Sequence, residues 1–235
     1  MNTTTKWIIA SIGIIAMCFG TQIAVAQSNE SLESIKTKAE RGEAVAQCEL
    51  GVRYDQGIGL SKDAEEAVKW YRKAAEQGLP RAQLLLGACY ADGAGVEKDE
   101  NEAVKWYRKA AEQGLEIAQY TLGVCFDQGV GVPKNEAEAV KWYRKAAEQG
   151  LATAQYNLGV SYRDGQGVAK NEKEAAILFR KAAEQGLASA QCNLGICYGK
   201  GIGVSRDEAE AGKWLRKSAA QGDTTAADIL KKLGY

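Results

Sequence analysis

The stretch AQLLLGACYADGAGVEKDENEAVKWYRKAAEQG, residues 82–114, carries the pattern on which the fold turns. Its first half sets Ala82, Leu86 and Tyr90 four residues apart, with Gly87 beside the Leu. That is the i, i+4, i+8 spacing of a helix whose small residues let a neighbour come close. A turn built on Gly93 and Gly95 follows. Asp99 then precedes Glu102 by three residues, the spacing of a capping box in which each residue satisfies an orphan amide of the other. The second helix, AVKWYRKAAEQ at 103–113, stops at Gly114, which is placed to take the left-handed C-cap conformation.

The unit recurs in phase. Ala46, Ala82, Ala118, Ala154 and Ala190 stand 36 residues apart, each followed by Gln and, four residues on, by Leu-Gly. An aromatic residue closes each first helix: Tyr54, Tyr90, Phe126, Tyr162 or Tyr198. Cap pairs open each second helix at Asp63/Glu66, Asp99/Glu102, Asn135/Glu138, Asn171/Glu174 and Asp207/Glu210, and Gly78, Gly114, Gly150, Gly186 and Gly222 end them. The chain therefore divides into five repeats, 46–81, 82–117, 118–153, 154–189 and 190–225. A terminal face has no neighbour to bury it, so the ends must differ. Residues 27–45 hold a linker and a capping helix from Leu32 to Arg41, and 226–235 complete a polar C-terminal cap that keeps Ala226 and Leu230 but has Lys231 in the Gly position.

These residues resemble the Sel-one-like repeats, a branch of the tetratricopeptide superfamily. The shared pattern is Ala-x-x-x-Leu-Gly-x-x-Tyr, then Gly-x-Gly-Val, then Asp-x-x-x-Ala-x-x-Trp-x-x-x-Ala-Ala-x-x-Gly, and it covers roughly residues 38 to 235. Leu178-Phe179 in place of Trp-Tyr, Gly212 in place of Val and Leu60 in place of the turn Val depart from it without breaking the apolar pattern. The resemblance implies an all-α, right-handed solenoid of antiparallel helix pairs that binds other proteins or peptides. Some exported relatives are described as lactam-binding or lactam-hydrolysing, so lactam or cell-wall chemistry is the alternative. Familiar lactam chemistry uses Ser-x-x-Lys with Lys-Thr-Gly, and the sequence contains neither.

Composition narrows the function further. The 30 basic and 30 acidic residues cancel, which removes the basic excess expected of a nucleic-acid binder. Histidine is absent, so Ser-His-Asp and Cys-His catalysis and His-ligated zinc are excluded. Residues 1–26 read as a secretory signal peptide: Lys6 is their one charge, Trp7 to Gly20 is apolar, and Ala24-Val25-Ala26 supplies a cleavage site. The apolar run of 14 residues is short of the ~20 that span a bilayer. An uncleaved anchor and a lipid on Cys18 are the weaker readings, the latter because bulky Met17 precedes the cysteine. The expected address is periplasmic or secreted, with no membrane span after cleavage, and the expected state is a monomer. Five cysteines remain after Cys18 (Cys48, Cys89, Cys125, Cys192 and Cys197), none in a C-x-x-C pair. Equivalent positions in stacked repeats lie about 10 Å apart. A disulfide needs Cα atoms within ~7 Å. The cysteines read as small buried hydrophobes with free thiols.

Searches for chemistry end in structural explanations. The Gly-x-Gly turns lack the third Gly and the Lys-Ser/Thr of nucleotide loops. Glu76, Glu112, Glu148 and Glu184 follow Arg72, Arg108, Arg144 and Arg180 by four residues and are expected to form exposed helical ion pairs. No pair of carboxylates is singled out as a glycosidase would require. The Lys-Trp-Tyr-Arg-Lys runs mix basic and aromatic residues as single-strand binders do, but helical spacing sends Trp and Tyr to the apolar stripe. No catalytic residue, cofactor or metal site is expected.

That leaves the groove that the resemblance implies, with first helices lining its concave side. Two inward rows run along it. One is Cys48, Leu84, Tyr120, Tyr156 and Cys192; the other is Val52, Ala88, Val124, Val160 and Ile196. Asp55, Ala91, Asp127, Arg163 and Gly199 lie one step outward. The first row varies in size and polarity where core positions repeat faithfully. The candidate partner surface is therefore Leu84, Ala88, Tyr120, Val124 and Asp127, continued by Tyr156, Val160, Arg163 and Ile196. The competing reading is that these side chains only pack neighbouring repeats together.

Overall fold

The structure, a computed structural model, describes residues 31–233. The described residues form twelve α-helices and no strand: α1 (Leu32–Glu40), α2 (Ala44–Gln56), α3 (Ala64–Glu76), α4 (Pro80–Asp92), α5 (Glu100–Glu112), α6 (Glu116–Gln128), α7 (Glu136–Glu148), α8 (Ala152–Asp164), α9 (Glu172–Glu184), α10 (Ala188–Lys200), α11 (Glu208–Ala219) and α12 (Thr224–Leu233). The class is all-α, built from antiparallel helix pairs as the periodicity requires. The leader expected at 1–26, with Cys18, lies outside the described residues. The chain divides into two compact units, the first ending at Lys134 and the second beginning at Asn135.

In the first unit α1 to α6 pack each on the next. Ile35 and Ala39 of α1 are fully buried against Ala46 and Leu50, so the short first helix closes the N-terminal face. Within a repeat, the Gly after Leu lets the partner's aromatic ring lie on the backbone. A Cβ on Gly87 would stand 2.7 Å from the Tyr107 ring, closer than any carbon contact allows. Gly95 answers a different demand. Its φ is +68°, and a Cβ there would sit on the carbonyl of Ala64, the first residue of α3. The turn of one repeat is thus wedged against the second helix of the repeat before it.

The second unit, α7 to α12, repeats the scheme. Gly159 takes the Phe179 ring as Gly87 takes Tyr107, and Gly167 approaches the carbonyl of Glu136 as Gly95 approaches that of Ala64. At the C-terminal end, Ala226 and Leu230 of α12 bury against Cys192 and Leu215.

A buried glutamine stitches successive helices together. In the first unit Gln83 Nε2 donates to the Ala75 carbonyl (3.1 Å), and its Oε1 accepts from Gln113 Nε2 (2.8 Å). Gln47 does the same with Ala39 and Gln77. In the second unit, Gln155 joins Ala147 and Gln185, and Gln191 joins Ala183 and Gln221. Each links the helix before it, its own helix and the helix after it, so a buried amide has both ends satisfied.

Two local expectations are corrected. The first concerns arginine. Arg72, Arg144 and Arg180 reach not to Glu76, Glu148 and Glu184 but 18 residues onward, donating to the hydroxyls of Tyr90, Tyr162 and Tyr198. Arg108 lies over the Phe126 ring, 5.5 Å from its centre. A half-buried hydroxyl or ring face is a better partner than an exposed carboxylate, whose attraction water and salt screen. The second concerns the capping boxes, which are half made. Asp63 Oδ1 accepts from the Glu66 amide at 3.0 Å, yet the Asp63 amide donates to the Tyr54 carbonyl, and Glu66 pairs with Lys69 instead. Asp99/Glu102 and Asp207/Glu210 behave alike. The turn folds the cap residue back onto the end of the first helix, so its amide is already satisfied.

Candidate interaction surface

The first helices supply the surface. In the first unit their inward positions are largely filled. Leu84 is 2 %, Ala88 0 % and Val124 5 % exposed, so these three, expected to line a groove, are core residues there. Cys48 and Val52 of α2 share a core cluster with Ala82, Leu85 and Leu86 of α4, which shows why: short side chains at these positions are consumed in packing adjacent first helices. Half-buried Tyr120 and Asp127 of α6 keep some surface. Asp55 of α2 is half-buried as well, and burial holds its carboxyl above the usual carboxylate range.

The second unit presents a more developed arrangement on α8 and α10. The Tyr156 ring packs 5.8 Å from that of Phe179, and its hydroxyl accepts from Asn193 Nδ2 at 3.4 Å. Asn193 Oδ1 accepts from Arg163 Nη1 at 2.8 Å, while Arg163 Nε and Nη2 donate to both oxygens of Asp164 at 2.7 Å. This fork holds the Asp164 carboxyl below the usual carboxylate range and raises Arg163 above its own. Tyr156, Asn193, Arg163 and Asp164 thus form one fixed polar chain across two repeats, with half-buried Val160 and Ile196 beside it. Sequence reading missed two of its members, Asp164 and Asn193. The position of Asn193 holds Glu49, Leu85, Thr121 and Asn157 in the other repeats, and that variability inside an otherwise regular frame was the available signal.

Beyond Ile196 an open cavity of about 250 Å3 lies between α10, α11 and α12. Gly199 and Leu215 floor it, and Ile229 and Lys200 stand at its sides.

Other groups offer less. Burial pushes the thiol of Cys48 up to about 11 and those of Cys89 and Cys125 up to about 12, and Cys192 and Cys197 reach about 11. All five are unpaired and buried, as expected of small hydrophobes. No cluster of metal-ligating side chains occurs among the described residues. Trp106 and Trp142 are core residues, 6 % and 8 % exposed, and Lys109 and Lys145 cover their rings at 3.8 and 4.2 Å. No open indole face is left there for a base to stack on.

Comparison with known proteins now has a geometry to attach to. The Sel1 repeat description matches residues 44–79, 80–115, 117–151, 152–187 and 188–223. The chain belongs to the Sel1 repeat family. Among solved Sel1 relatives, a protective antigen of uropathogenic Escherichia coli with an SLR fold is 47 % identical at a TM-score of 0.82, over 84 % of this chain and 42 % of that one. A Sel1 repeat protein of Oxalobacter formigenes is 36 % identical at a TM-score of 0.79, over 94 % of this chain and 65 % of that one. The secretory immunoglobulin A-binding protein EsiB of Escherichia coli O6:H1 is 52 % identical over 48 residues, 20 % of this chain and 10 % of EsiB. The chain therefore spans less than two thirds of each of these relatives. The solved relatives place it in the α-solenoid class, and Sel1 repeats are a scaffold suited to protein–protein interaction.

Proposed function

We propose that this Sel1 chain is a non-catalytic interaction scaffold, exported as a monomer to the bacterial envelope or exterior, that holds a protein or peptide on its first-helix face. The contact residues are Tyr120 and Asp127 in the first unit and Tyr156, Val160, Arg163 and Ile196 in the second. One observation carries the reading. The chain Tyr156–Asn193–Arg163–Asp164 is built from positions that vary between repeats, half-buried at its first three members, exposed at Asp164 and locked by hydrogen bonds, which suits an interface more than a core. Leu84, Ala88 and Val124 support that face from beneath. Export rests on Lys6, the apolar run Trp7 to Gly20 and Ala24-Val25-Ala26. Among the described residues no helix is long and apolar enough to cross a membrane. Short local identity to an immunoglobulin-binding protein makes secretory immunoglobulin A the first ligand to try.

The test compares two variants for ligand affinity and thermal melting. Tyr156→Ala should weaken binding at least tenfold, since an aromatic anchor contributes ~2 kcal/mol or more. Trp142→Ala should instead cost the fold about 3–5 kcal/mol, the usual consequence of emptying a core site. Equal losses of melting temperature would make Tyr156 a core residue and remove the surface. Intact mass of exported material should show a chain starting at Gln27, and retained residues before it would overturn the export reading.

A further inference from the structure

We propose that the cavity between Ile196, Leu215 and Ile229 receives one aliphatic side chain of a peptide partner, flanked by Asp or Glu residues that meet Lys200 and Lys232. This deepens the scaffold reading and rests on it.

The cavity follows from three departures of the last repeat. Tyr71, Tyr107 and Phe179 lie on the glycines of the first, second and fourth repeats, and Leu215 replaces that ring with a smaller side chain over Gly195. Position 199 is Gly where the other repeats carry Asp55, Ala91, Asp127 and Arg163. The third is Ile229, half-exposed on α12 at the position that Asn193 holds one repeat earlier. The result, about 250 Å3, falls just below the ~300 Å3 at which sites for whole small molecules begin, and has room for an aliphatic side chain together with the backbone that carries it.

Charge selects the flanks. Lys200 lines the cavity, is exposed, and forms no ion pair with a described residue. Exposed Lys232 lies three residues beyond Ile229 on the same helical face. The neighbouring acids are turned to other tasks. Glu210 pairs with Lys213, Asp223 caps α12 through the Ala226 amide, and Asp228, four residues before Lys232 on α12, forms no ion pair with it. An aliphatic residue among carboxylates therefore complements both floor and rim.

The experiment is a methyl NMR titration of the purified chain with the blocked peptide acetyl-Glu-Asp-Leu-Asp-Glu-amide. Methyls of Ile196, Leu215 and Ile229 should shift saturably, and raising salt should weaken the effect. Ser in place of the Leu, or Lys in place of the acids, should abolish it. A Cβ at Gly199 meets only the Ala211 methyl, at an ordinary 3.6 Å, so Gly199→Leu can fill the cavity and should raise the dissociation constant at least tenfold. Lys200→Glu, an exposed change that leaves packing alone, should do the same. Four results overturn the proposal: unshifted methyls, equal binding of the Lys-flanked peptide, binding that requires a free carboxyl terminus, or a dimer that Gly199→Leu dissociates. Partner binding lost in Tyr156→Ala, with these methyls unmoved by the peptide, would sink the cavity assignment and leave the scaffold reading standing. Shifted methyls with a Tyr156→Ala variant that binds its partner normally would keep the cavity and remove Tyr156 from the contact surface.

Discussion

Gln83 shows what a single side chain contributes that a repeat pattern does not advertise. Its position after the invariant Ala was plain in the sequence, but its partners were not. They lie eight residues back, at Ala75, and 30 residues on, at Gln113, neither of which a helical period brings to mind. Gln83→Leu removes two hydrogen bonds, although the Ala75 carbonyl keeps the Gly78 amide, so it should cost about 1–3 kcal/mol in urea unfolding. Gln113→Ala takes the donor from Gln83 Oε1 and opens that side to water, so it should cost less, about 0.5–1.5 kcal/mol. The arginines teach a related lesson. The i, i+4 rule pointed to glutamates, and a tyrosine hydroxyl presented by the next repeat won. The cysteines, by contrast, were read correctly, because burial of a small residue depends only on the repeat phase. At pH 8 the folded thiols should resist alkylation, while unfolded protein should yield five. The sign at high pH follows from their acid constants. Thiols ionising near 9 when unfolded and at about 11 to 12 when folded stabilise the fold below pH 9 and lose that contribution as pH rises to 11 or 12. Stability measured from pH 8 to 11 should fall accordingly, and an unchanged stability would mean the thiols ionise as freely in the folded as in the unfolded chain.

At the scale of an element, helix starts and stops were legible because caps act locally. Asp63, Asp99, Asn135, Asn171 and Asp207 accept from the amide three residues on, and Gly78 and its equivalents turn with φ near +90°. The Gly-x-Gly turn was legible as a turn, but not as a contact between repeats. Comparing Gly59 with Gly95 separates the two. Gly59 has φ +76° and its nearest neighbour is a Leu32 methyl at 3.8 Å, whereas Gly95 adds the Ala64 carbonyl. Gly59→Ala should therefore cost about 1–2 kcal/mol, the left-handed backbone penalty alone. Gly95→Ala should lose a further ~1–3 kcal/mol through forced displacement of the backbone. Equal melting temperatures for the two variants would show that the turn does not bear on the preceding helix.

For the molecule as a whole, length and phase of the repeat sufficed for the fold class, since each pair buries its apolar stripe only on its neighbours. The interaction surface was half legible. Tyr120, Asp127, Tyr156, Val160, Arg163 and Ile196 keep partial exposure, but Leu84, Ala88 and Val124 do not. Val124 is buried while Val160, the same residue one repeat on, keeps surface, so the neighbours of each site decide exposure, and alignment of positions does not contain them. Removing α12 by ending the chain after Gly222 should test the terminal cap. Cys192 and Leu215 would lose the cover of Ala226 and Leu230, and circular dichroism should show loss of helix beyond the ten residues removed as α11 frays. Loss of those ten alone would mean that the last pair stands unaided.

The glutamine stitch has a genetic consequence. Within each unit it joins a repeat to its neighbours through atoms that every repeat carries, so a junction does not depend on which repeat stands on either side. The segments 67–77, 103–113 and 139–149 are identical in amino-acid sequence, and coding DNA whose codons match as well recombines with itself. Unequal exchange between these copies deletes or adds a whole unit in frame, and the product keeps both end caps and an unbroken row of glutamines. Array length should therefore drift between strains in whole multiples of 36 residues.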